Sequence, residues 1–179
     1  MNSTTPSSFL FIFILCIIFY APLPALCTSL YEALCNEYRP EEDIPKCMNL
    51  MKSDPNIPLA TNYHDLSHYI LEMALFKATT VHTYLEVIAK YFPSNEAISE
   101  CLTEFNNATG ALNSALIKLD NDPKSARDDA ITAAFGGDHC NKALQNPSEK
   151  HVLDAIQDQN NEISFVSVMA SLAIIHLFD

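Results

Sequence analysis

Four long stretches of the 179-residue chain repeat apolar residues every three or four positions, and short proline-bearing turns separate them. That spacing marks one face of an α-helix. Proline removes a backbone donor and biases the residue before it away from helical geometry, so each turn closes one helix before the next. The first stripe runs from about Asn62 to Phe92 through Leu66, Ile70, Met73, Val81, Tyr84, Ile88 and Tyr91, and Pro93 ends it. Ser94 reads as the N-cap of the second helix, whose stripe is Ile98, Cys101, Phe105, Ala108, Leu112, Ala115 and Leu119. Asn121-Asp122-Pro123 begins a third helix that runs to about Leu144, with Gly136 and Gly137 as its weakest interior positions, each costing up to about 1 kcal/mol. After Asn146-Pro147-Ser148 the fourth carries Val152, Ile156, Ile163, Val166, Ala170, Ile174 and Leu177. Long amphipathic helices joined by short turns predict an all-α fold, an antiparallel four-helix bundle.

Composition excludes several alternatives. With 3 glycines the chain is poorly supplied for the tight turns of a sheet fold. The 22 acidic and 10 basic side chains give a formal net charge of -12, which repels nucleic acid and would draw in a basic protein partner. The segment Ile163 to Phe178 is apolar but about sixteen residues long, short of the roughly 20 needed to span a membrane. It reads as a core helix.

Phe9 to Tyr20 is an unbroken apolar run, followed by Pro22, Pro24 and small side chains, the layout of a secretory signal peptide. Cleavage after Ala25-Leu26-Cys27 would assign 1–27 to the signal and 28–179 to one domain. That domain divides into a helical hairpin over 28–58 and the bundle over 59–179. The hairpin is read from short helices broken by Pro40 and Pro45, with Cys35 and Cys47 flanking the break and Ser53-Asp54-Pro55-Asn56-Ile57-Pro58 as connector.

Cleavage removes Cys16 and Cys27 and leaves Cys35, Cys47, Cys101 and Cys140, an even set in an oxidising compartment. Spacing alone allows three pairings. The bundle register narrows them: Cys101 lies about nineteen residues before the Asp120 to Pro123 turn and Cys140 about seventeen after it, so their heights nearly coincide. A Cys101–Cys140 bridge fits, which leaves Cys35–Cys47 to close the hairpin.

No hydrolase elbow, phosphate loop or dinucleotide fingerprint is present, so the sequence points away from an enzyme and calls for no cofactor or metal. His64 and His68 stand four apart on one helix face, but Asp65 replaces the glutamate of a zinc-protease motif, and His82 lies about 21 Å farther along the axis than His68. They read as rim histidines. Asn107-Ala108-Thr109 is a glycosylation sequon in the domain.

The cysteine order, with Leu34-Cys35-Asn36, Cys47-Met48-Asn49-Leu50-Met51-Lys52-Ser53-Asp54-Pro55, Cys101-Leu102 and Ile131-Thr132-Ala133-Ala134 before Cys140, resembles the plant invertase/pectin methylesterase inhibitor family over residues 29–178. The resemblance implies a hairpin with one disulfide, a bundle with a second between its middle helices, and secretion to the apoplast and cell wall or sorting to the vacuole. It also implies a 1:1 complex with acid invertase or pectin methylesterase, with the inhibitor blocking the enzyme's active-site cleft. Invertase inhibitors of the family carry a Pro-Lys-Phe turn; Pro123 and Lys124 match it, while Ser125 departs from the aromatic third member. This turn and the Asp-Pro after the second cysteine lean slightly towards invertase, with pectin methylesterase as the alternative. A small-ligand carrier and a non-inhibitory structural or storage protein stand further off.

Overall fold

The computed structural model describes residues 28–38, 43–145 and 150–178. The expected signal peptide, Pro40 and the Asn146-Pro147-Ser148 turn lie outside them. Among the described residues all regular structure is helical: α1 Leu30–Glu37, α2 Ile44–Lys52, a single 3-10 turn Ile57–Leu59, α3 Tyr63–Tyr91, α4 Glu96–Lys118, α5 Pro123–Ala143 and α6 Lys150–Ile175.

Helix starts follow side-chain chemistry. Asn62 Oδ1 accepts the Asp65 amide at 2.9 Å, Asn95 Oδ1 accepts that of Ile98 at 2.9 Å, and Asp122 Oδ1 accepts that of Ser125 at 3.2 Å. Each satisfies one donor that the first turn leaves without an intrahelical partner. The cap of α4 is thus Asn95, one residue later than the Ser94 read from sequence. Both are good capping residues, and the asparagine amide reaches the third helical N–H.

Helices α3 to α6 pack in a ring, each against its chain neighbours, with α6 closing back on α3. The α4 stripe is buried throughout, from Ile98 to Leu119. Phe105, Leu112, Ile70, Leu85 and Ile156 are fully enclosed, each worth about 1.5–3 kcal/mol of transfer free energy as an upper guide. The hairpin α1–α2 lies on this ring, with Tyr31, Leu34 and Met51 buried and the Tyr38 ring edge-on to Phe165 at 5.0 Å.

Both disulfides form as the register requires, Cys35–Cys47 in the hairpin and Cys101–Cys140 between α4 and α5. The third bundle helix forms over the span read from sequence, and α5 runs unbroken through Gly136 and Gly137 because neither glycine is there for a turn. A Cβ on Gly136 would sit 2.9 Å from the Ala108 Cβ, and one on Gly137 2.5 Å from the Asn160 carbonyl oxygen, so the glycines let α5 approach α4 and α6 closely. One sequence expectation is corrected, in α3. Leu66, Ile70, Met73 and Val81 are buried, but Tyr84 is 42% and Tyr91 76% exposed. The inward row passes through Ala78, Val81 and Leu85 instead, and the two tyrosines belong to a second, outward row.

Candidate functional site

The turn between α4 and α5 is built by hydrogen bonds that leave its tip in solvent. The Asn121 and Asp122 amides both donate to the Lys118 carbonyl oxygen, at 3.1 and 2.7 Å, closing the end of α4. Pro123 then takes the first helical position of α5, where a missing N–H costs nothing. Lys118 Nζ reaches across to Asp129 Oδ2 at 2.7 Å and ties the two helix ends together. The Asp122 carboxyl is held below the usual carboxylate range, first by its hydrogen bonds from the Ser125 side chain and amide and then by the charges of Lys118 and Lys124.

Of the three residues singled out here, Lys124 is exposed while Pro123 and Ser125 are half-buried. The Lys124 ammonium lies 5.7 Å from the centre of the Phe178 ring, at the C-terminal end of α6. Ser125 faces the cap, so the third position of the triplet serves helix initiation rather than display.

The same end of the bundle gathers further contacts. His64 Nε2 meets Asp120 Oδ1 at 2.6 Å, and His68 is paired separately with Glu72 at 3.4 Å. The His176 ring stacks on Tyr63 with centroids 4.0 Å apart, and its Nε2 meets Glu37 Oε2 at 2.9 Å, linking α6, α3 and α1. Burial, and secondarily the Glu37 charge, raises the Tyr63 hydroxyl above its ordinary pKa. Among the described residues no three His, Cys, Asp or Glu side chains converge as metal ligands. Nor is any helix among them long and apolar enough to cross a membrane.

Asn107 is exposed on α4, while Ala108 beside it is buried against α5. The four cysteines are all fully buried. Sequence reasoning missed the outward row of α3, which includes Phe76, 74% exposed. Its signal was present, since Phe76, Tyr84 and Tyr91 repeat at helical spacing, but that row was partly merged with the inward one.

A disulfide-closed helical hairpin seated on a disulfide-bridged four-helix bundle defines the fold class, that of the pectin methylesterase inhibitors. The chain is similar to a mutant form of a pectin methylesterase inhibitor from Arabidopsis, with a TM-score of 0.70 and 18% identity, covering 82% of this chain and 96% of that one. It is likewise similar to a pectin methylesterase inhibitor from Arabidopsis thaliana, with a TM-score of 0.54 and 18% identity over 79% of this chain and 93% of that one. At this identity the likeness establishes a shared fold. No family model matches the chain, and no curated protein matches it in sequence.

Proposed function

We propose that this protein is a secreted inhibitor of a pectin methylesterase and not itself an enzyme. The observation that carries the reading is the match to a pectin methylesterase inhibitor over 82% of this chain and 96% of that one at a TM-score of 0.70. Both neighbours are pectin methylesterase inhibitors by name, one of them a mutant form, and they lend no support to the slight lean towards acid invertase drawn from Pro123, Lys124 and the Asp-Pro after the second cysteine. The turn itself favours the same choice. Ser125 supplies no apolar anchor, and Lys124 already has an aromatic face to rest on.

On this reading the bundle covers the enzyme's substrate cleft, and Pro123, Lys124 and Ser125 touch the enzyme at the rim of the covered area. The apolar run at Phe9 to Tyr20 supports delivery through the secretory route to the cell wall. The test is to incubate the oxidised protein with a pectin methylesterase and, separately, with an acid invertase, and to assay both enzymes. Loss of pectin methylesterase activity at one equivalent, with invertase untouched, is expected. Inhibition of invertase alone would reverse the assignment.

A further inference from the structure

Among the described residues the outward row of α3 stays exposed, with nothing packed over it. Phe76, Thr80, Thr83, Tyr84, Val87 and Tyr91 are all exposed on one side of the helix, and none carries a charge. Phe76 and Tyr91 are 74% and 76% accessible, and Val87 is 47%. Apolar residues scattered singly on a surface need no explanation, but Phe76, Tyr84, Val87 and Tyr91, with Thr80 and Thr83 between them along about 22 Å of one side of the helix, mark an interaction face.

The positions of the row, though not all its residue types, are the same in both directions. Phe76 and Tyr91 stand equally far from the midpoint between Thr83 and Tyr84, as do Thr80 and Val87, and at 3.6 residues per turn each pair lies symmetrically about one line down the helix. A surface with that symmetry is complementary to itself when a second helix lies antiparallel across it, which is the requirement of a two-fold interface. We infer that two copies of this chain associate through α3, antiparallel, with Phe76 of each copy facing Tyr91 of the other.

Two more observations support that occupant. Beside Phe76 a groove between α3 and α6 is lined by Thr80, Val81, Gln159 and Glu162, apolar at its base with polar groups at the edge. An opposing Tyr91 ring fits such a site, its hydroxyl meeting the polar edge. Charge also discriminates. A chain of net charge -12 repels its own copy over most of its surface, yet the six residues of the row carry no charge; Lys77 and Lys90 flank it, and the carboxylates beside Phe76 are those of Glu162 on one side and Glu72 and Asp54 on the other. Those lysines fall on opposite flanks, so the two-fold does not set one against the other, and Lys77 is already paired with Glu162 at 2.8 Å. The contact leaves α5, diagonal to α3 in the ring, open to an enzyme.

Sedimentation equilibrium of the oxidised protein, without any enzyme, tests this directly and independently of the inhibitor reading. A concentration-dependent dimer is expected. Tyr91→Glu and, separately, Phe76→Glu should raise its dissociation constant by roughly thirtyfold or more while helical circular dichroism is unchanged, because each places a charge at a desolvated contact. As a second readout, Thr83→Cys near the two-fold should yield a cross-linked dimer under mild oxidation, whereas Ile117→Cys, exposed on α4, should not. A parent that stays monomeric at all attainable concentrations, a dimer indifferent to both glutamates, or equal cross-linking by the two cysteines would each overturn the inference.

Discussion

A Cβ at Gly137 would lie 2.5 Å from the carbonyl oxygen of Asn160, so the contact between α5 and α6 exists only because residue 137 has no side chain. Asn160 is itself fully buried and donates from Nδ2 to Asn141 Oδ1 at 2.7 Å. The backbone of α6 is therefore pinned from two directions at this point.

Gly137→Ala should destabilise the bundle by about 1–3 kcal/mol, because the clash is with backbone that cannot rotate away. The helix-propensity gain of up to about 1 kcal/mol does not offset it. Gly110→Ala is the control: nothing lies within 4 Å of its added methyl, so the same gain should appear undiminished. Urea midpoints of the two variants should move in opposite directions. A stabilised Gly137→Ala would mean that α5 and α6 sit farther apart.

The oxidised protein should show two intramolecular disulfides and no free thiol by titration under denaturant. Replacing Cys101 and Cys140 together by serine should lower stability by up to about 4 kcal/mol, against about 3 for Cys35 with Cys47, since the 39-residue separation closes a longer loop than the 12-residue one. Helical circular dichroism should survive both changes, because the buried stripes remain. Equal midpoints for the parent and the Cys101 and Cys140 variant would contradict the prediction.

Most of the fold was legible because period and punctuation agree. Each bundle helix carries a row at 3.6-residue spacing, and a capping residue or proline marks its start, so element order, approximate ends and the cysteine register follow. What sequence could not supply was the distinction between two uses of one residue type. Glycine at 136 and 137 looks like a helix breaker until the neighbouring helix is in place, and only then does it read as a close-approach residue. Tyr84 and Tyr91 have helical spacing whether they face inward or outward; only the packing of Val81 and Leu85 against the ring decides which row is core. The turn between α4 and α5 was visible as Pro123-Lys124, but its role in starting α5 emerges from Asp122 and Ser125 together.

Acid should weaken the helix starts. The Asp122 carboxyl is held below the ordinary carboxylate range by hydrogen bonds from Ser125, and that of Glu32 by the Ser29 amide at 3.1 Å and the Ser29 side chain. A carboxyl depressed in the folded state stabilises it above the unfolded pKa, here about 4, and that contribution disappears as pH falls through the folded value. Asp122→Ala should therefore lower the urea midpoint at pH 6 and have almost no effect near pH 2. Asp122→Asn keeps an accepting oxygen without the charge and should lose less at pH 6. If the parent and Asp122→Ala differ equally at both pH values, the ionised cap is not the source.

Lys124 separates the two enzyme targets. If the protein blocks a pectin methylesterase through its bundle, Lys124 is an exposed charge at the edge of the contact, and such charges act mainly on association rate and its salt dependence. Lys124→Ala should then change the inhibition constant by no more than a few fold, and Ser125→Phe should bring no gain, with the melting temperature measured for both as a folding control. If instead the turn enters an acid invertase cleft, the ammonium sits among carboxylates at the desolvated centre. Its removal there costs about 2 kcal/mol or more, roughly thirtyfold, and Ser125→Phe restores an apolar anchor. A thirtyfold loss against pectin methylesterase itself would move Pro123, Lys124 and Ser125 from the rim to the centre of that interface. Small effects there, with no invertase inhibition by the parent, would leave the turn as a helix start with a minor contact role.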